Sequence, residues 1–568
     1  MYQALQRVPA RRNTGSRAGG VLNAKGFAAP TRGWVTDENI AAQQPGSARV
    51  LDDCFAEESY IRLRSGSFVV SELDGQPVDS FLSYLGWPIK QLFASSGGNI
   101  YSTQPTIALE NLTTQDPDEN IEVLVSSELE PLQVNISRSS TLVYSGLTSG
   151  YFSYVNFSTP GGHFLVAANG TDPVLLYNGS EWSQITDEST PIAITGVDTS
   201  TLSHVSSYKN RMFYTQAGSL IVFYLPVGQI GGEVGTFSLD GVFRKGGSVL
   251  FTETWSVSVG DGMDDKFIVV STEGEVAVYS GLNPGDANNW ILEQRYEMPR
   301  PLGKNSYMRA EGDVVIATDV GLIRLTTIFQ NDMATLSQFA VSRPIGSEWV
   351  REMEARIGVP IEVARWSERG MAIISLPSTP VTEIPICFVV NMKTGAWSRY
   401  RGWDTNTIVY HDGQVYFGTQ DGRILLAEVG GNDDGQPYYP TMVSNWDHLD
   451  AFGNKKTVKD ARGQFSAVAS GDVNLFVCAD YNITIPAAPN AVGPNTLPSL
   501  WDVGQWDEAR WDEGVAKFPY NTRWNSIGRS SELGVFAVGF ITEVSGPYLP
   551  IQDFIEMTLR WETGGMVV

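Results

Sequence analysis

The 568 residues exceed what one hydrophobic core can serve, so the chain divides into several domains. Hydrophobic residues at 42% and aromatics at 11% exclude wholesale disorder, and 18% charged residues beside 57 glycines and 15 tryptophans favour short strands and tight turns. A formal net charge of −24 excludes a surface that grips duplex DNA throughout, because such a grip needs basic residues against the phosphates.

Residues 1–36 read as a basic arm. Arg7, Arg11, Arg12, Arg17, Lys25 and Arg32 all precede the first acidic residue, Asp37, among Gly, Ala and Asn that build no core. Such an arm becomes ordered by docking, which makes Arg7, Arg11, Arg12 and Arg17 candidate assembly contacts; the competing reading is a solvated tail. No apolar export leader follows these arginines, and no run of about 18 apolar residues crosses a membrane. Residues 37–158 alternate short apolar runs with polar turns, an N-terminal β region of which a part is free to complete the domain that follows.

Over 159–428 one pattern recurs: an apolar strand, a Gly, Asn or Asp turn, and a second apolar strand. Copies start at His163, Arg211, Lys266, Asp313, Gly370 and Gln414. Their spacing of about 50 residues suits a four-stranded propeller blade, and near-continuous apolar runs suit strands covered on both faces. The expectation is a six-bladed β-propeller with these hairpins as the inner strands. Trp182, Trp290 and Trp397 each follow a hairpin and read as wedges between blades, a reading favoured over a row of sugar-stacking aromatics.

Within the propeller, Ser347 is placed to cap a helix that carries Trp349, Met353 and Ile357 on one face and ends at Gly358. Gly430–Gly435 reads as a linker. Residues 429–568 form a C-terminal β domain that includes a Trp-rich segment with Trp501, Trp506 and Trp511, each followed by Asp. The fold class is therefore mainly β, a six-bladed propeller flanked by smaller β domains and the arm.

Chemistry is sparse. His163, His204, His411 and His448 stand at no metal-ligand spacing, and Cys54, Cys387 and Cys478 form neither a disulfide framework nor a CxxC pair. Walker, GxSxG and dinucleotide fingerprints are absent. The acidic loops Asp261–Asp265 and Asn432–Asp434 lack the ligand order of an EF-hand and read as solvated turns rather than Ca²⁺ sites. No catalytic residue, cofactor or metal site is expected, and the chain reads as non-enzymatic.

Two stretches carry more than architecture. Ala29-Pro-Thr-Arg-Gly-Trp34 is followed by Pro45-Gly-Ser-Ala48, Leu51-Asp-Asp53 and Arg62-Leu-Arg-Ser-Gly66. Tyr208-Lys-Asn-Arg-Met-Phe213 is followed by Gly246-Gly247, Thr254-Trp255, Gly260–Asp265, Glu273-Gly-Glu275, Tyr279-Ser-Gly281, Gly312-Asp313 and Thr318–Leu322. In this order, over residues 29–430, the chain resembles the tail nozzle proteins of short-tailed bacteriophages, also called tail tubular or packaged-DNA stabilisation proteins. The resemblance implies a virion tail protein assembled in the host cytoplasm as a homohexamer. It would sit below the portal and the tail adaptor (head–tail connector), carry tail fibres or spikes, retain DNA and conduct it outward without tight binding. Two rivals stand beside it: a propeller-based tail spike that binds or degrades glycans, and a cellular scaffold propeller. The spike needs an Arg group or carboxylate cluster with exposed aromatics at one propeller mouth.

Overall fold

The computed structural model describes residues 22–37, 39, 43–103, 140–259, 262–286, 288–310, 312–380, 382, 384–450, 452–467, 472–489, 517–544 and 552–566. Strands dominate, with a few short helices. Five strands lead the chain: β1 (Asn23–Ala28), β2 (Ala48–Asp52), β3 (Cys54–Ala56), β4 (Ile61–Leu63) and β5 (Ser67–Glu72).

Each of the six expected hairpins lies in its own sheet, in the expected order. These sheets are blade 2 (Ser153–Ile185), blade 3 (Leu202–Ser238), blade 4 (Val249–Glu297), the three-stranded blade 5 (Tyr307–Arg324), blade 6 (Val363–Arg401) and blade 7 (Thr407–Ala427). The fourth strand of blade 7 is β5, with Arg423 opposite Glu72 and Ala427 opposite Ser67, so a strand from early in the chain closes the last blade. The ring takes in one further four-stranded sheet from the N-terminal β region, blade 1 (Val78–Ser145). Val78, Phe81 and Leu92 pack on Val409 and Ile424 of blade 7, while Leu82 and Phe93 pack on Leu165, Tyr177 and Trp182 of blade 2. Seven sheets therefore surround the axis. Blade 1 escapes a search for repeats because its third strand ends at Ser102 and its fourth begins at Thr141.

The hairpins are the second and third strands of their blades, not the inner ones. First strands pack on first strands around the axis. They read poorly as strands because the axis is polar: Ser153–Thr159 is Ser-Tyr-Val-Asn-Phe-Ser-Thr, whereas Met371–Leu376, one strand further out in blade 6, is wholly buried and mostly apolar.

Blade 6 continues into a second domain. Its outer strand pairs in parallel with β2 at Asp52–Arg399, and β2 leads on to β6 (Thr441–Ser444), β11 (Phe536–Thr542) and β8 (Val473–Ala479). The facing sheet is built on a long antiparallel pair, β7 (Asn454–Ala467) and β12 (Gln552–Met566), flanked by β1, β3, β4, β9 (Phe518–Asn521) and β10 (Asn525–Ser531). Phe465, Phe540 and Phe554 fill the space between the sheets, and the same core runs on through Trp34 and Trp397 into the propeller. β1, from the basic arm, pairs with β12 along all six of its residues, so the two ends of the described chain meet.

The expected helix is shorter than its pattern. α1 spans Gly346–Glu354; Ser347 lies inside it and donates to Thr36 Oγ1 (2.9 Å) instead of capping it. Trp349 and Met353 are buried, but the chain turns after Glu354 and Ile357 is 85% exposed. Trp349→Ala should therefore lower the unfolding free energy by about 3–5 kcal/mol, and Ile357→Ala should change it by less than about 0.5 kcal/mol. Urea titrations of both variants check this; comparable losses would mean that residues 355–358 stay helical and pack.

Candidate functional site at the propeller axis and the domain junction

Where the first strands begin, a polar network closes the axis. The turn Gly303–Ser306 before blade 5 reaches across the mouth, and Lys304 Nζ donates to the carbonyls of Tyr151 (2.9 Å), Ser203 (2.9 Å) and Ala168 (3.5 Å) in the blade 2 and blade 3 region. Asn305 Nδ2 donates to Phe152 O (3.0 Å) and Glu362 Oε1 (3.1 Å), and Glu362 Oε2 accepts from Thr407 Oγ1 (2.7 Å) and the Ile408 amide (3.1 Å). The entries to blades 2, 3, 5, 6 and 7 are thus tied together. Burial pushes the Lys304 ammonium down to about 7, with the Glu362 charge opposing, and burial raises the Glu362 carboxyl. His204, buried nearby in the first strand of blade 3, is pushed down to about 3 by burial and by the Lys304 charge, so it stays neutral.

Where the first strands end, further contacts run from blade to blade. Lys90 pairs with Asp412, Tyr410 donates to Glu368, and Arg309 pairs with Glu253. Arg365 Nη1 donates to Arg309 O (2.9 Å), Tyr208 OH to Asp265 O (2.8 Å), and Asn156 Nδ2 to Ser83 O (2.8 Å). Trp87 projects from the blade 1 turn on this face, 85% exposed.

The domain junction holds the third cluster. Arg64 is fully buried: Nε donates to Asp53 Oδ1 (2.7 Å), Nη2 to Asp433 Oδ2 (2.7 Å) and Arg401 O (3.0 Å), and the Tyr438 ring lies 3.8 Å from the guanidinium carbon. Trp403 Nε1 also donates to Asp433 (3.0 Å). Asp433 belongs to the acidic stretch read as a solvated turn; it is a counter-ion instead. The Gly430–Gly435 stretch is likewise no free linker, since Gly66 N donates to Gly430 O (3.0 Å) and Ser67 N to Asn432 O (3.1 Å). Burial raises Asp53 to about 6 against the pull of Arg64. Burial works to raise Glu428 too, but Arg62 (2.8 Å) outweighs it, with Tyr400 (2.6 Å) and Arg369 (3.1 Å), and the carboxyl is held below its usual range.

Of the residues singled out in the sequence, Trp182 packs on Phe93 across the blade 1–blade 2 seam (5.2 Å between ring centroids). Trp290 stacks on Tyr279 (5.3 Å) and on Phe213 of blade 3 (6.2 Å). Trp397 is fully buried, but against Trp349 of α1 (6.2 Å) and the second domain rather than between two blades, its Nε1 donating to Val341 O (3.0 Å). Arg7, Arg11, Arg12 and Arg17 lie outside the described residues, as do Trp501, Trp506, Trp511 and part of the Asp261–Asp265 loop. Cys54, Cys387 and Cys478 are free and buried. Among the described residues no group of three His, Cys, Asp or Glu is arranged to hold a metal ion, and no helix is long and apolar enough to cross a membrane. Sequence reasoning missed Arg64, Lys304 and Glu362; only the place of Arg64 in the Arg62–Gly66 motif marked one of them.

No family model matches the chain, and no curated protein matches it. Among solved structures it is similar to the extracellular domain of BT3049, from a hybrid two component system of B. thetaiotaomicron, at 12% identity over 65% of this chain and 41% of that one, with a TM-score of 0.36. It is also similar to YCF48 from Cyanidioschyzon merolae (10% identity, 64% of this chain and 99% of that one, TM-score 0.34) and to Chaetomium thermophilum Raptor (10%, 65% and 29%, TM-score 0.37). The chain thus spans about two-fifths of the length of that BT3049 extracellular domain. These likenesses carry no assignment of function.

The Lys304 network has a pH signature. Its folded value of about 7 lies below the ordinary 10.5, so between the two the unfolded chain binds the extra proton and stability rises with pH. Below about 7 this contribution is flat. In Lys304→Met the component is gone, so the stability difference between wild type and variant should move in favour of the wild type from pH 7 to pH 9.5. Urea unfolding at several pH values checks it, and parallel profiles would show that Lys304 keeps an ordinary pKa.

Proposed function

We propose that this chain is a subunit of a hexameric nozzle in a short phage tail, seated below the portal and its adaptor, which retains packaged DNA and conducts it outward at infection. One observation carries the reading beyond the ordered resemblance itself: the residues of its first stretch gather where the two domains join. Gly33 is at φ +79°, and a Cβ there would lie 2.7 Å from the backbone N and O of Trp397; a Cβ on Gly66 would lie 1.8 Å from Asn432 O. Asp52 holds Arg399 (2.8 and 2.9 Å), Arg62 holds Glu428, and Arg64 holds Asp53 and Asp433. A signature that sits in the frame between two domains, rather than in a pocket, suits a building block.

The axis of each propeller is tied off at the Lys304 mouth, so in this reading DNA passes between subunits rather than through a blade ring. The spike reading asks for a binding mouth with converging charges; where the first strands end, Lys90 is engaged with Asp412, Arg309 with Glu253 and Glu368 with Tyr410. The tail adaptor and fibres are the partners the nozzle reading names.

The channel wall of such a ring should be net negative. The chain carries 63 acidic and 39 basic residues, and Lys or Arg contacts that add affinity through counterion release would stall a moving duplex. Purified full-length chain should form six-fold rings in electron micrographs, with only weak, salt-sensitive duplex binding. Particles without six-fold symmetry, or nanomolar DNA binding at physiological salt, would sink the proposal.

A further inference from the structure

The tied mouth of the axis surrounds one buried cation on three sides with backbone oxygen. Lys304 is 7% exposed, and its Nζ lies 2.9 Å from the Tyr151 carbonyl, 2.9 Å from that of Ser203 and 3.5 Å from that of Ala168. The Tyr151 ring adds its face, with Nζ 4.8 Å from the centroid, a distance at which the ring quadrupole attracts a cation. Glu362 supplies an opposing charge, but its oxygens are taken up by Asn305, Thr407 and the Ile408 amide. Three carbonyls thus meet three N–H donors, the full donor complement of a primary ammonium.

The acceptors belong to other blades than the cation does. Tyr151 leads into blade 2, Ala168 ends its second strand, and Ser203 lies in the first strand of blade 3. The ammonium arrives from the turn before blade 5, between 101 and 153 residues further along the chain. Local backbone shape presents these oxygens. Leu202 stands opposite Gln216 and His204 opposite Thr215, so Ser203 has no partner across the ladder, and a bulge of this kind re-aims the residue it carries. Tyr151 is steadied by the preceding residue, Gly150, whose carbonyl accepts from Ser80 Oγ (2.5 Å) and Ser95 Oγ (2.6 Å) of blade 1. Blades 2 and 3 therefore form the site, and Lys304 fills it.

We propose that this mouth is a binding site for a primary ammonium group, which the Lys304 side chain occupies in the native chain and a free alkylammonium ion occupies once that side chain is removed. The chemical class follows from the donors and the distances. A quaternary ammonium has no N–H, and its methyl carbons stop at roughly 3.3 Å from an oxygen, outside the 2.9 Å contacts made here. A guanidinium spreads its donors in a plane, as a fork that matches carboxylates. A calcium ion takes roughly six to eight oxygens, and three carbonyls fall short of that shell. The inference is independent of the nozzle reading, since it concerns only how blades 2, 3 and 5 are held to one another.

Chemical rescue of full-length Lys304→Ala tests it. The substitution keeps Cβ and removes the equivalent of propylammonium. At about pH 6, below the value of about 7 to which burial pushes Lys304, the wild-type group is charged and serves as the reference. The urea midpoint of Lys304→Ala should fall below that of the wild type and climb again, saturably, as propylammonium chloride is added. Half of the recovery should come at roughly 10–100 mM, because a free ion lacks the tether that holds the lysine. Potassium chloride and tetramethylammonium chloride at equal concentrations should give no such recovery. Propylammonium should not raise the midpoint of Lys304→Met, whose side chain fills the same path. If Lys304→Ala does not fold alone, the same ions are added during refolding, and native circular dichroism should return with propylammonium only. Equal recovery in potassium chloride, equal recovery of Lys304→Met, or no response of the alanine variant to propylammonium in either assay overturns the site.

Discussion

Arg64 is a cation wholly withdrawn from water, and the joining of the two domains depends on how that charge is met. Desolvating a guanidinium costs several kcal/mol, recovered only where geometry and hydrogen bonding are nearly complete. Here Asp53 comes from the link between β2 and β3, Asp433 from the stretch after blade 7, the Arg401 carbonyl from blade 6, and the Tyr438 ring from the approach to β6. No one of these segments could hold the charge alone. Two residues on from Arg64, Gly66 and Ser67 take the Gly430 and Asn432 carbonyls, and β5 enters blade 7. The ion cluster and the closing strand of the propeller are therefore one structural event. Apolar residues of similar shape could match such a cluster in stability, so its value lies in register: only one alignment of five segments satisfies every donor.

The same logic explains why the axis is polar at both ends. The Lys304 ammonium meets three carbonyls, and Glu362 accepts from an amide, a hydroxyl and a side-chain amide. Groups with perturbed protonation often mark chemistry; these are held by partners from neighbouring blades and so act as ties between them.

How much of this was legible in the sequence follows from what each segment faces. Second and third strands press between neighbouring blades, so His163–Tyr177 and its counterparts read as apolar runs at a regular spacing. First strands face the axis and carry Ser, Tyr, His and Glu, which hides them. Blade 1 was recognisable only as β structure, because its last two strands stand far apart in sequence. Trp349 and Met353 were read correctly as a buried face, while Ile357 fell to a turn that tightens at Arg356, whose amide bonds Met353 O (3.0 Å). The network residues were the least legible, since a lone Arg in Arg-Leu-Arg-Ser-Gly or a Lys in a Gly-Lys-Asn-Ser turn looks like any solvated cation until the topology surrounds it.

The topology also fixes what must form last. β5 pairs with residues more than three hundred positions later, and β1 pairs with the final strand of the described chain. Closing such loops costs entropy before any contact returns it, so both seams await nearly complete synthesis. Local pairing is available earlier to blades 2, 4, 5 and 6, each built from strands consecutive in the chain. An incomplete propeller would expose the apolar flank of blade 7, where Val409 and Ile424 sit, and the flank of blade 1 facing it. Arg64 sits beside that seam with its charges supplied from both domains, so sealing the ring and docking the second domain cannot proceed independently. A chain built this way completes its outward surface only after the two ends of the described chain have met.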